Sequence, residues 1–185
     1  LGGQVTGLSD NFVDGGQVKS GEKLVEIDDA DAQSFYQKAK ADIMDAKAEV
    51  EDAERALLLS QDELEAALKQ SGLRETALSR QRDLQVRGVG TKAAVEAAEL
   101  ALSSAEQSVL NRRSAVDNAK ARGASAGTRL IRSELALDDA SRRLEDTKLF
   151  SKFDGVLSNI TLVEGGIVSA NERIGRLIDP NSLEV

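Results

Sequence analysis

Cysteine and histidine are both absent from the 185-residue chain. Without cysteine there are no disulfides, no thiol chemistry and no cysteine-based zinc site. Without histidine the commonest general base and metal ligand is missing. Aromatic residues are scarce at 3% and sit near the ends: Phe12, Phe35, Tyr36, Phe150 and Phe153, with none from Gln37 to Leu149. A compact core over that stretch would use aromatic side chains, which bury the most area per residue. No run of about 18 apolar residues occurs, so no segment reads as a membrane-spanning helix. A basic surface is lacking too: 24 Lys and Arg against 32 Asp and Glu leave a net charge of −8, which disfavours nucleic acid as a partner. No initiator Met or signal peptide precedes Leu1, and the chain is expected to be part of a longer protein.

What is present begins with an internal repeat. Val13-Asp14-Gly15-Gly16-Gln17-Val18 returns as Val163-Glu164-Gly165-Gly166-Ile167-Val168, and Glu22, Lys23 and Leu24 continue in register with Glu172, Arg173 and Ile174. Each copy lies in a short apolar-alternating run with Gly-rich turns, the pattern of β-strands. Upstream, Gly3-Gln4-Val5 is expected to answer Asp154-Gly155-Val156 with a one-residue offset. Neither half is long enough to bury a core alone. Residues 1–28 and 150–185 are therefore expected to pack together as one pseudo-symmetric β-sandwich.

Residues 29–149, between the halves, have the Ala-, Leu-, Glu-, Lys- and Arg-rich composition of long helices. The first arm starts near Asp28 to Asp31, where carboxylates can cap free amides and favour the helix dipole. Its seam reads Ile43, Ala46, Val50, Ala53, Leu57, Ser60, Leu64 and Ala67, in alternating steps of the heptad kind, and blurs beyond Ala67 near Gly72. The second arm is more regular. Its seam runs Ala98, Leu102, Ala105, Val109, Arg112, Val116, Ala119, Gly123, Ala126 and Leu130, then Ser133, Leu137, Ala140, Leu144 and Thr147. So many Ala and Gly imply closely approaching helices with modest burial per layer. The arms meet at Arg87-Gly88-Val89-Gly90-Thr91, where Gly88 can end one helix in the left-handed conformation and Thr91 can cap the next. At a helical rise of about 1.5 Å per residue each arm would reach roughly 85 Å, more than a single-domain core needs.

This α+β arrangement, a long antiparallel coiled-coil hairpin inserted in a split β-domain, resembles the periplasmic adaptor or membrane fusion proteins. Those serve tripartite efflux pumps and type I secretion systems of Gram-negative bacteria. The run from Val13 to Asp28 is similar to the family's opening lipoyl-type motif. Phe153-Asp154-Gly155-Val156-Leu157-Ser158 resembles the closing one, with Ser151-Lys152 standing where Ala-Pro is common. At the tip the family carries Arg, three residues, Leu, six residues and Ser, in contact with the outer-membrane channel. Arg80, Leu84 and Thr91 fall at that spacing, with Thr in place of Ser. The resemblance implies a lipoyl-like β-sandwich and a partner-binding tip at about 84–92, with Arg80, Leu84, Arg87, Gly88, Gly90 and Thr91 as the docking residues. It also implies an inner-membrane transporter and an outer-membrane channel as partners, and self-association into a ring of usually six subunits. The location would be the periplasm, with inner-membrane attachment, a β-barrel and a membrane-proximal domain outside this chain. The barrel would begin near Leu183-Glu184-Val185.

Rival readings are weaker in the residues themselves. True lipoyl carriers bear the cofactor on a turn Lys, and Asp29 stands there in Glu26-Ile27-Asp28-Asp29-Ala30, so no amine is available for the amide link. An acyl or biotinyl carrier is disfavoured for the same reason. Asp28, Asp29 and Asp31 could ligate a metal, but they read better as an acidic helix start. Glu63 and Glu65 fit a solvated helix face and not an acid–base pair, since nothing builds the dry pocket that tunes catalytic carboxylates. No catalytic, cofactor-binding or metal-ligating residue is assigned. At the tip Arg80, Arg82, Arg87 and Lys92 stand against only Asp83, a locally basic patch in an acidic chain. Arg112 interrupts its seam, and either pairs across the hairpin, snorkels or specifies register. The alternative function is a cytoplasmic coiled-coil interaction module on a lipoyl-like base.

Overall fold

The computed structural model describes residues 2–170 and 172–179. Their elements run β1 (Gly3–Leu8), β2 (Gln17–Val18), β3 (Lys23–Ile27), α1 (Ala30–Val86), α2 (Lys92–Glu145), β4 (Lys148–Phe150), β5 (Gly155–Ser158), β6 (Ile167–Val168) and β7 (Arg176–Ile178). The expected barrel start at Leu183 to Val185 lies outside the described residues. The chain divides into two compact units, Leu1–Ile43 with Ser133–Val185, and Met44–Arg132.

The first unit contains two antiparallel sheets, in strand order β4-β3-β1-β6 and β2-β5-β7. Each sheet takes strands from both sides of the helical insertion. The repeat is realised in the pairing: Gln17 and Val18 lie opposite Val156 and Gly155, while Ile167 and Val168 lie opposite Gln4 and Gly3. The backbone bonds repeat as well. Gly15 N–H donates to Leu157 O at 2.8 Å and Leu157 N–H to Gly16 O at 2.9 Å; Gly165 N–H donates to Val5 O at 3.0 Å and Val5 N–H to Gly166 O at 2.8 Å. Gly3-Gln4-Val5 thus corresponds to Gly155-Val156-Leu157, one residue further on than the expected Asp154-Gly155-Val156. Strand alternation decides this register, since a one-residue slip would turn the buried Val5 and Leu157 outward.

Carboxylates bind the turns of the two halves together. Asp14 accepts from Ile160 N–H at 3.0 Å, and Asp154 accepts from Ser20 N–H at 2.7 Å. Within each half the same Glu closes the same turn: Glu22 accepts from Lys19 N–H at 3.0 Å and Glu172 from Ser169 N–H at 2.8 Å. The core is Val5, Phe12, Val18, Leu24, Val25 and Leu157, with Ile160, Leu162, Ile174 and Leu177 among the residues packed around it. Both sheets and both halves contribute. Each such side chain, fully buried, is worth about 1.5–3 kcal/mol. Asp28 caps α1 by accepting Ala30 N–H at 3.0 Å. At the other end Thr147 is buried and its carbonyl takes Ile27 N–H at 2.8 Å, so β4 already holds Lys148 and Leu149, which the sequence assigns to the helical segment.

In the second unit α1 and α2 run antiparallel, as three cross-helix ion pairs show: Glu49 with Arg129 at 2.9 Å, Glu63 with Arg112 at 2.7 Å and Glu99 with Arg82 at 2.7 Å. Partner numbers fall on one helix as they rise on the other. The covered side chains follow the heptad seam, with Ala46, Ala67, Ala105, Val109, Val116, Ala119 and Ala126 buried. Arg112 resolves as an ion-paired seam residue. On α1 the seam does not end at Ala67: Leu78 is buried and Ser71, Gln81 and Leu84 are half-buried. The apolar pattern fades there because Ser71 and Gln81 occupy inward positions. Gly123 and Gly127 are not demanded by close approach, since an added Cβ at either meets nothing within 4 Å. Among the described residues no helix is long and apolar enough to cross a membrane.

Candidate partner-binding tip

The turn between the helices is built from backbone bonds that the Gly-Val-Gly sequence permits. Val89 N–H donates to Leu84 O at 3.1 Å and Gly88 N–H to Gln85 O at 2.9 Å, the paired bonds of a Schellman helix end. Gly88 has φ +79°, a region that side-chain-bearing residues avoid. Gly90 N–H also reaches Leu84 O, at 3.0 Å. A Cβ on Gly90 would lie 2.7 Å from Gln85 N and 3.0 Å from its Cα, backbone atoms that cannot step aside. Thr91 Oγ1 then accepts Ala94 N–H at 3.2 Å and caps α2. Gly88, Gly90 and Thr91 are therefore first of all the architecture of the turn.

The other candidates divide by environment. Arg87 is tied to Asp83 at 2.8 Å, Arg82 to Glu99 at 2.7 Å and Lys92 to Glu96 at 3.4 Å. The basic patch expected from the residue types is thus largely neutralised within the protein. Arg80 is exposed and has no ion pair among the described residues. Leu84 lies one helical turn beyond Arg80 on the same face, but it is half-buried, so part of its side chain is covered within its own unit. The large apolar side chains left open at the turn are Val86 and Val89, 86% and 74% exposed. Neither is among the docking residues expected from the sequence. Their signal was present in plain form, as two valines within a Gly-rich break.

No family model matches the chain. A stretch of 103 residues is 40% identical to BepD, an efflux pump periplasmic linker from Brucella suis; it covers 54% of this chain and 23% of that protein. The fold agrees with that likeness. The chain resembles the periplasmic adaptor, or membrane fusion, proteins. MacA from Actinobacillus actinomycetemcomitans superposes with a TM-score of 0.51 at 22% identity, over 97% of this chain and 47% of MacA. The soluble domain of LipC, a membrane fusion protein of a type I secretion system, gives 0.52 at 12% identity, over 96% of each chain. A MacA chimera carrying the α-hairpin domain of Pseudomonas aeruginosa MexA also gives 0.52, at 21% identity, over 96% of this chain and 42% of the chimera. The chain spans about a quarter of the curated relative's length.

Proposed function

We propose that this chain is the hairpin-bearing part of a periplasmic adaptor subunit that links an inner-membrane transporter to an outer-membrane channel for efflux or secretion. The work is geometric, and no reaction is assigned. One observation carries the reading: two helices of 57 and 54 residues, connected by a short Gly-rich turn, are inserted between strands that close one β-unit. The likeness to an efflux pump periplasmic linker supports the same assignment. The β-unit is read as lipoyl-like, on its two pseudo-symmetric halves and their Gly-Gly turns. Docking is assigned to Arg80 and Leu84, with Arg87, Gly88, Gly90 and Thr91 holding the tip in shape. Self-association into a ring of six subunits and attachment to the inner membrane through a segment outside this chain complete the proposal.

The test is genetic and direct. Removing the gene should lower export of the cognate substrate, and the full-length protein, fractionating with the periplasmic face of the inner membrane, should restore it. A version with residues 44–132 replaced by a short turn should be made and localised normally yet fail to restore export. Recovery by that version, or fractionation with the cytosol, would contradict the assignment.

A further inference from the structure

The tip displays an apolar pair that its own turn does not use. In a Schellman helix end the residue after the left-handed glycine commonly packs back on the apolar residue five positions earlier. Here those residues are Val89 and Leu84, and Val89 remains 74% exposed. Val86, the last residue of α1, is 86% exposed. Neither side chain contributes to the core of the described protein.

The setting of this pair has the anatomy of a contact surface. Around it, Arg87 and Asp83, Arg82 and Glu99, and Lys92 and Glu96 satisfy one another, forming a polar rim with little net charge. The turn beneath is stiff, because Gly88 requires its positive φ and Gly90 has no room for a side chain. A rigid display lowers the ordering cost of binding. Arg80 is the tip's one cation without an ion partner among the described residues, so a surface complementary to the tip would be an apolar recess carrying a carboxylate at its edge.

We infer that Val86 and Val89 are the principal apolar contacts of the tip, seated in such a recess on the partner channel protein. This rests on the docking reading above and changes its emphasis: the attraction is apolar and only weakly dependent on salt. Arg80 sets orientation.

Co-sedimentation of the full-length protein with outer-membrane vesicles from its source bacterium tests the inference. Protease-treated vesicles and protein-free liposomes of the same lipids serve as comparators. Wild type should sediment with untreated vesicles alone. The Val86→Ser, Val89→Ser double variant, with unchanged helical content, should bind at least about tenfold more weakly, as expected for losing two buried valines. Arg80→Gln should weaken binding less than about threefold, and raising NaCl from about 0.1 to 0.5 M should do no more. If the double variant binds like wild type while Leu84→Asp fails to bind, the valines are not the contact and tip docking stands. If Leu84→Asp and the double variant both bind like wild type, docking through the tip falls as well. Equal binding to protein-free liposomes would make the valines a lipid contact and overturn the inference.

Discussion

Arg112 on α2 donates through Nη1 to Oε2 of Glu63 on α1 at 2.7 Å, from a position that the heptad seam would otherwise give to an apolar residue. Both side chains remain close to half exposed, at 47% and 41%. A pair so open to solvent is screened. A double-mutant cycle with Arg112→Ala and Glu63→Ala should return a coupling of only about 0.2–1 kcal/mol in urea unfolding. Arg112→Leu should be neutral or stabilising, since it restores the seam.

The Ala-rich seam sets the tolerance of the hairpin. Ala105→Leu or Ala126→Leu should overpack a buried site and cost about 1–3 kcal/mol. Ala46, 0% exposed, should be at least as intolerant. Glu106→Ala, on the exposed face, should change stability by less than about 0.5 kcal/mol. Equal losses at all four positions in thermal melts would show that the seam lies elsewhere.

The glycines of the hairpin separate into two kinds. At Gly123 and Gly127 a Cβ meets open space, so Gly123→Ala and Gly127→Ala should each stabilise the helix by about 0.5–1 kcal/mol. Gly90→Ala forces a side chain onto Gln85 backbone and should lower the melting temperature. A gain at Gly90 would contradict the turn geometry.

Acid should loosen the β-unit through Glu22. Its carboxylate accepts Lys19 N–H first of all, then Asn11 and Ser9, and these bonds hold its pKa below the ordinary glutamate value of 4.5. A depressed pKa in the folded state stabilises above the unfolded pKa, and that contribution fades as pH falls through the folded one. Melting temperature should therefore drop on acidification below about pH 4.5, and Glu22→Gln should flatten that part of the profile. A Glu22→Gln profile parallel to wild type would show that other carboxylates govern acid stability.

Much of this architecture could be read from the sequence because its signals are periodic. The seam positions from Ala98 to Leu144 are covered on α2 except at Arg112, and the Gly-Gly repeat is realised in the paired bonds of Val5 and Leu157. Registers that depend on tertiary pairing were less readable. The Gly3 equivalence moved by one residue because strand alternation outranks motif spacing. The α1 seam past Ala67 was hidden by Ser71 and Gln81, which lie inward despite their polarity. At the tip the turn chemistry already gave Thr91 as the cap of α2, and spacing singled out Arg80, Leu84 and Thr91, but it could not reveal that Leu84 is half covered. Nor could it reveal that three of the four cations are paired, since pairing depends on where partners on the neighbouring turn and helix stand.

The claim that the tip docks an outer-membrane channel is tested most directly by export in cells carrying Arg80→Glu together with Leu84→Asp in the full-length protein. Arg80 is exposed and unpaired among the described residues, so its reversal should leave the fold intact. Leu84 is half-buried, so helical content and melting temperature must be recorded beside export. Docking through the tip predicts that export is lost while expression, helical content and association with the inner-membrane transporter persist. Export at the wild-type rate from a folded double variant would contradict it, and the hairpin would then have to act through its sides.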